Sequence, residues 1–310
     1  MIEHGWDDYR AWALRSRTIQ EERWRWNRRA LACAVLAASL GAVAADLGTA
    51  AAAVRIGQLV SALAAVAAVA SPIVGRYVLD LAGEASWIRA RATAEAIKAE
   101  CFRAAGRIKP YDGADARDVF IARRAALIEV ATKAGLTALP DPAGAVGDTR
   151  RPPEPMDAAW YLANRVGEQA QYYAKRQQDK ERESGRIRLL TLTLSLLAAA
   201  LGAIGSTYQV GAFAPWIAVM TTIGAMVLAN GALERRHYLA VSFGTMAEAL
   251  GHIKERYDVP GADLTALVHE TEALLSREHV GWAEQMTKSV QTTHARPPVA
   301  DPGTRPTATF

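Results

Sequence analysis

The sequence has few cysteines and histidines, and their placement argues against a metal site or a disulfide. The two cysteines, Cys33 and Cys101, lie far apart, with neither a CxxC pair nor a neighbouring histidine at metal-ligand spacing. The six histidines are scattered along the chain in the same way. We therefore expect both cysteines to be packing residues, and we predict neither a metal nor a cofactor.

Recognisable catalytic motifs are missing as well. The sequence contains no GxSxG, P-loop, HExxH or GxGxxG at a strand-to-helix junction, and strands themselves are hard to locate. An enzyme needs polar groups that converge in a cleft, and the sequence indicates no such set. We therefore predict that the protein is not an enzyme and has no catalytic residues.

Ionisable residues are absent from one long block of the chain. From Leu189 to Leu233, 45 consecutive residues include no Asp, Glu, Lys, Arg or His. A bilayer core of ~30 Å needs ~20 helical residues, so this block is long enough for two membrane spans. The turn-like residues from Tyr208 to Gly211 then predict spans at 189–208 and 214–233.

An earlier part of the chain repeats this arrangement with more alanine. Two further spans are predicted at Ala30–Ala45 and Ile56–Val74. Ala37, Gly41 and Ala45 lie four residues apart, a spacing that favours close helix packing in lipid. The predicted fold class is therefore an all-α membrane protein, with four transmembrane helices arranged as two hairpins and continued by long cytoplasmic stalk helices.

Basic and aromatic residues flank the predicted spans, whereas the short hairpin loops carry almost no positive charge. The positive-inside tendency then places both termini and the central segment in the cytoplasm of a multi-pass inner-membrane protein. A mixture of Arg and Trp could also indicate nucleic-acid stacking, but its position beside a span favours lipid, and we expect no nucleic-acid partner. The predicted membrane-interface anchors are Trp24, Trp26, Arg28, Arg29, Arg76, Arg186, Arg188, Arg235 and Arg236.

The helices that continue from the spans carry apolar residues at alternating spacings of four and three. One such seam runs from Leu81 to Phe102 and another from Leu239 to Tyr257, a pattern typical of packed or coiled helices. Glu95 and Glu248 lie within these predicted stalk seams. Proton or ion handling is one interpretation of these carboxylates, and we prefer the simpler one, interhelical hydrogen bonding or register fixing.

Several uncharged polar residues lie inside the predicted spans. Polar side chains in lipid usually face another helix or water, so these are candidate pore-lining or interhelical residues. The absence of an intramembrane charge disfavours a proton-coupled pump and fits a passive conduit. The candidates are Gln58, Ser61, Thr191, Ser195, Thr222 and Asn230.

The chain divides into two similar units. Ala30 aligns with Leu189 at an offset of 159 residues, which indicates a duplicated span–span–stalk plan. The predicted domains are an N-terminal cytoplasmic amphipathic or interface segment (1–29), a first two-span unit (30–136), a Pro-rich linker (137–156), a second two-span unit (157–288) and a disordered tail (289–310).

Scattered motifs add a family resemblance to this plan. The segment from Trp87 to Glu100 resembles the stalk motif of the SLATT superfamily of prokaryotic two-span membrane domains. The segment from Tyr161 to Arg165 resembles the opening of a second such unit, and the stretch from Glu270 to Trp282 resembles its end. The similarity covers roughly residues 20–288 and implies two units in tandem.

The resemblance implies a membrane effector of prokaryotic conflict or antiphage defence. Such an effector is expected to form a homo-oligomer, to sense a signal through its cytoplasmic part or a sensor or nucleotide-signalling partner, and to breach the bilayer. Our leading hypothesis is therefore a non-enzymatic, pore-forming effector. The alternative is a membrane-anchored scaffold or sensor that signals through its cytoplasmic helices without conducting.

Overall fold

The computed structural model describes residues 1–48, 54–78, 81–140, 151–208, 213–233 and 236–278. Within these ranges the regular structure is entirely helical. The helices are α1 (Ile2–Gly48), α2 (Val54–Val78), α3 (Leu81–Ala105), α4 (Ala116–Lys133), α5 (Ala158–Tyr161), a π-helical segment (Leu162–Gly167), α6 (Glu168–Tyr208), α7 (Ala214–Leu233), α8 (Arg236–Tyr257) and α9 (264–278).

The helices follow one order twice. In the first unit α1, α2, α3 and α4 follow one another, and in the second unit α5, the π segment and α6 together take the place of α1. Helices α7, α8 and α9 then correspond to α2, α3 and α4. The second hairpin has its helix ends at Tyr208, Ala214 and Leu233, the positions that the sequence predicts.

Three helical stretches are long and apolar enough to cross a membrane: Ile2–Leu47, Val54–Gly75 and Ala158–Tyr208. A shorter apolar stretch, Ala214–Leu228, lies in α7. Within the most apolar window of Val54–Gly75 only 6% of residues are buried, so lipid is the solvent that suits this surface. The predicted all-α membrane fold is confirmed.

The four apolar helices lie side by side in a row. Among the described residues, the extensive contacts of these helices are those of α2 with α1, α1 with α7 and α7 with α6, so α2 and α6 lie at the two ends of this row of contacts. Ser71 donates a hydrogen bond to the carbonyl oxygen of Ala30 (3.3 Å) within the first hairpin. Trp216 Nε1 donates to Asp46 Oδ2 (3.0 Å) and joins the two hairpins at the end of α1.

The remaining helices pack into one body, which we call the head. Its core contains aromatic residues from the start of α1, with Trp6 and Trp12 both at most 5% exposed. Helix α1 runs without interruption through residue 29, whereas the sequence predicts a separate interface segment over residues 1–29. At 1.5 Å per residue, Trp12 lies about 27 Å along the helix from Ala30, so these tryptophans pack in the head and not at lipid.

The buried face of α3 differs from the predicted seam. The apolar residues that α3 buries include Trp87, Ala90, Ala94, Ile97, Cys101 and Phe102. In the predicted seam Ala92 is exposed and Ile88 is only half-buried, so the real face is rotated around the helix axis. The reason is that α3 packs against both α1 and α4, and its large side chains turn toward them.

The buried face of α8 is the predicted one, with Met246, Leu250 and Ile253 at most 7% exposed. Glu248 lies on the exposed side of the same helix. It is not part of the face that α8 buries within the chain, because the position two residues after Met246 on a helix points away from the face that Met246 occupies.

Candidate functional site

A short π-helical segment carries an arginine into the interior of the head. Asp157 caps α5, where its Oδ1 accepts a hydrogen bond from the backbone N–H of Trp160 (2.7 Å). The helix then widens into the π segment Leu162–Gly167 before it continues as α6. Single π turns inside α-helices are frequent at functional sites. Here the widened turn places Arg165 in the core, where it is 2% exposed.

Arg165 makes a two-point ion pair with Glu272 of α9. Its Nε lies 3.0 Å from Glu272 Oε1 and its Nη2 lies 3.1 Å from Glu272 Oε2. The Glu272 side chain is only 3% exposed, so both charges are removed from water. A paired guanidinium and carboxylate in this geometry form strong, direction-specific hydrogen bonds.

Three further side chains complete the arrangement. Tyr161 donates a hydrogen bond to Glu272 Oε1 (2.8 Å), and the carboxylate of Glu95 lies 3.7 Å from Arg165 Nη2. The guanidinium carbon of Arg165 lies 4.9 Å from the centroid of the Phe102 ring. We call these five residues the junction cluster, because Glu95 and Phe102 belong to the first unit and the other three to the second.

The charges of the junction cluster are fixed by their surroundings. Burial lowers the pKa of Arg165, but Glu272 and Glu95 more than offset this effect and hold that pKa above its ordinary value. Burial and the neighbouring Glu272 raise the pKa of Tyr161 well above its ordinary value. Arg165 is therefore charged and Tyr161 is a neutral donor, as a structural tie between the units requires.

A second set of polar contacts lies in the first unit. Glu100 accepts a hydrogen bond from Tyr111, and its Oε1 lies 2.6 Å from Arg103 and 3.7 Å from Arg123. Burial and the hydrogen bond to Glu100 raise the pKa of Tyr111. This set ties α3 to α4, whereas the junction cluster ties one unit to the other.

Among the described residues, no group of three or more His, Cys, Asp or Glu side chains could hold a metal ion. The charged side chains of the junction cluster engage one another. Its geometry suits a structural role, in which the ion pair helps to hold the two units together within their shared core.

The structure places the predicted polar residues of the spans in two groups. Gln58, Ser61 and Ser195 stand on exposed faces of the edge helices α2 and α6. Thr191 and Thr222 instead donate to carbonyl oxygens of their own helices, at Ile187 and Ala218 respectively. The side chain of Asn230 lies outside the described residues.

The predicted interface anchors are mostly exposed. Trp24 is 39% exposed, and the guanidinium carbon of Arg29 lies 4.8 Å from the centroid of the Trp26 ring. Arg28, Arg186 and Arg188 are exposed as well. Some predicted features lie outside the described residues. These are the side chains of Arg76, Arg235 and Arg236, the linker residues 141–150 and the tail 289–310.

The sequence alone does not identify the junction cluster, apart from Glu95. Arg165 and Glu272 are 107 residues apart, and no local pattern pairs them. The one local signal for the cluster is a tyrosine four residues before an arginine at the start of an otherwise polar helix. This combination is common in proteins, so it does not by itself indicate a buried ion pair.

Two family models match the chain, one in each unit. Residues 161–282 match the model described as the SMODS and SLOG-associating 2TM effector domain 1. Residues 8–119 match a model described as a protein of unknown function, DUF4231. No curated protein and no solved structure gives a significant match.

The matches agree with the predicted resemblance and with the repeated helix order. The match over residues 8–119 contains Glu95 and Phe102, and the match over residues 161–282 contains Tyr161, Arg165 and Glu272. The junction cluster therefore joins the two matched segments. Residues 161–282 are thus similar to the SMODS and SLOG-associating 2TM effector domain, and the segment matched over residues 8–119 precedes them with the same order of helices.

Proposed function

We propose that the protein is a non-enzymatic membrane effector that assembles with further copies into a pore. The observation that carries this proposal is the open row of four apolar helices. A closed bundle would cover the inner faces of its spans, whereas in the described part of the chain α1 is the span on which α2 packs extensively, and much of the α2 surface is exposed. Leu59 is 68% and Val66 is 67% exposed.

The edge helices carry polar side chains on these open faces. Gln58 and Ser61 lie on α2 and Ser195 lies on α6. Polar side chains that face lipid are costly and usually meet another helix or water. Contact between the α2 edge of one copy and the α6 edge of the next would cover them, and such head-to-tail contacts close into rings when the rotation permits.

The head supplies the means of control. The junction cluster ties the first unit to the second through charges that are buried at rest. We propose that the head lies in the cytoplasm of a cell whose inner membrane holds the spans, because basic residues flank the spans on the head side. The family is described as associating with SMODS and SLOG, which supports a nucleotide-signalling partner in prokaryotic defence.

Leakage of a trapped dye from liposomes tests the proposal. We expect the full chain to release dye, and we expect Gln58→Leu to reduce release because it removes an edge polar group. The matched control is Thr222→Val, whose hydroxyl only serves its own helix and whose loss should leave leakage unchanged. A scaffold or sensor that does not conduct predicts no leakage from any variant, even in the presence of the partner.

A further inference from the structure

The row of spans has a groove along one of its two broad faces. Helices α1 and α6 both pack on α7, and within the described ranges they make no extensive contact with each other. Trp216 marks the side of α7 that faces α1, through its hydrogen bond to Asp46. Ile217 marks the side that faces α6, since a Cβ at Gly202 would lie 3.8 Å from its Cδ1. Consecutive helical residues point only about 100° apart, so α1 and α6 lie toward one side of α7 and leave a groove with α7 as its floor.

The floor of this groove is open near the middle of the membrane. Met220, Gly224 and Val227 point between the directions of α1 and α6, and each is half-buried. A Cβ at Gly224 would meet nothing within 4 Å. Gly224 lies nine residues before the end of α7, which is about 14 Å along the helix and near the centre of a ~30 Å bilayer core. The groove therefore reaches the level of the acyl chains.

Aliphatic side chains form the two walls of the groove. Viewed from the end opposite the head, α1 and α6 approach the viewer and wind anticlockwise. The groove side therefore lies anticlockwise of the α7 contact on α1 and clockwise of it on α6. On α1 this side carries Leu36 and Val43, within about 80° of the contact at Asp46. On α6 it carries Leu194 and Leu201, within about 100° of the contact with α7.

Arginines stand at the head-side end of the α1 wall. Arg29 is seven residues before Leu36 and Arg25 is eighteen residues before Val43, so both lie on the groove side of α1. Both are exposed, and in the described part of the chain neither makes an ion pair. The guanidinium carbon of Arg29 lies 4.8 Å from the centroid of the Trp26 ring. The head-side end of the groove therefore carries two positive charges that no carboxylate neutralises.

The corresponding arginine of the second unit faces the other way. Arg29 and Arg188 each stand directly before the first residue of a predicted span. Arg188 lies about 40° anticlockwise of Gly202, on the opposite side of the α7 contact from Leu194. The two arginines therefore lie on opposite broad faces of the row, although the sequence predicts both as interface anchors.

We infer that this groove is a binding site for an anionic phospholipid. An acyl chain lies over Gly224 between the aliphatic walls, and the headgroup phosphate accepts hydrogen bonds from Arg25 and Arg29. The guanidinium group matches the geometry of a phosphate, and aliphatic walls match an acyl chain, so the two ends of the groove suit the two ends of one lipid molecule. The site depends on how the spans pack, and not on whether they conduct.

Thermal unfolding of the full chain in a neutral detergent tests the binding. Saturating phosphatidylglycerol should raise the unfolding midpoint by roughly 5 °C, because a ligand that binds only the folded state stabilises it. Phosphatidylcholine with the same acyl chains lacks the net negative charge, and glycerol phosphate lacks the chains, so neither should raise the midpoint. No rise with phosphatidylglycerol, an equal rise with phosphatidylcholine, or a rise with glycerol phosphate alone would overturn the inference.

Two matched pairs of variants locate the site. Arg29→Gln should weaken the affinity for phosphatidylglycerol about fivefold, whereas Arg188→Gln on the opposite broad face should leave it unchanged. Gly224→Leu should fill the floor of the groove and abolish the rise in midpoint. Ala225→Leu, at an exposed position on the other side of the contact with α6, should retain it. Equal effects of the two variants within either pair would contradict the assignment of the lipid to this groove.

Discussion

At the scale of single residues, the structure depends on charges that have been removed from water in pairs. Arg165 and Glu272 are at most 3% exposed, and each loses its hydration when the head folds. A buried ion pair contributes little net stability compared with apolar residues of the same volume, but loss of one partner leaves an uncompensated charge. The pair therefore specifies which surfaces meet at the junction between the two units.

Removing one partner of this pair should destabilise the head strongly. We expect Glu272→Gln to lower the free energy of unfolding by about 3 kcal/mol, since Arg165 then keeps only the more distant Glu95. The double variant Arg165→Met with Glu272→Leu should recover most of this loss. Denaturant unfolding followed by tryptophan fluorescence measures both, and equal losses in the single and double variants would contradict the assignment.

Buried acidic groups also predict a loss of stability at high pH. Burial is the largest cause that raises the pKa of Cys101 from 9.0 to about 12, and burial likewise raises the pKa of Tyr161 and Tyr173. A raised pKa means that the folded state holds its proton longer than the unfolded state. Stability is then fully present below about pH 9 and is lost as pH rises toward 12.

The thiol accounts for a definable share of this loss. Between pH 9 and 12, ionisation of the Cys101 thiol should lower the free energy of unfolding by up to about 1.4 kcal/mol for each pH unit. Cys101→Ala should remove this contribution to the pH dependence of the unfolding free energy, whereas the contributions of the tyrosines should remain. Unfolding midpoints measured from pH 8 to 11 give the slopes. An unchanged slope in Cys101→Ala would show that the thiol is not buried in the folded chain.

At the scale of helices, a glycine sets how closely α1 approaches the rest of the head. A Cβ at Gly5 would lie 2.5 Å from Cζ of Phe120 and 2.9 Å from Sγ of Cys101, two atoms that cannot move aside easily. The start of α1 therefore packs against α3 and α4 only because residue 5 has no side chain.

Gly5→Ala should consequently destabilise the head by about 1–3 kcal/mol through overpacking. Gly251→Ala on α8 is the matched control, because a Cβ there meets nothing within 4 Å. This control should be neutral or stabilising by up to about 1 kcal/mol, since alanine is the better helix former. A Gly5→Ala variant as stable as the control would show that the approach is looser than described.

The sequence predicts some elements well and others poorly, for physical reasons. The second hairpin is bounded correctly because charged residues stop abruptly at Arg188 and resume at Glu234. The buried face of α3 is mispredicted because alanine, arginine and glutamate alternate closely along the helix. Several faces of this helix therefore have a similar apolar content, and the sequence does not distinguish between them. The packing of Trp6 and Trp12 in the head is not predicted from the sequence, because tryptophan suits both a membrane interface and a packed aromatic core.

At the scale of the molecule, two contacts between the units lie at opposite ends. The junction cluster joins them in the head, and the hydrogen bond from Trp216 to Asp46 joins them at the far end of α1. Between these points the spans meet along the contact of α1 with α7. A signal that breaks the head contact would therefore act on the spans through long continuous helices, of which α1 extends about 70 Å.

The central claim is that lipid separates the head from the opposite end of the helix row. Thr132→Cys on α4 and Thr207→Cys at the end of α6 are both exposed and lie at these two ends. In intact cells, after subtraction of the labelling of the unsubstituted chain, a membrane-impermeant maleimide should label Thr207→Cys. It should label Thr132→Cys only after the membrane is permeabilised. Labelling of both positions to the same extent in intact cells, or of neither until permeabilisation, would contradict the account.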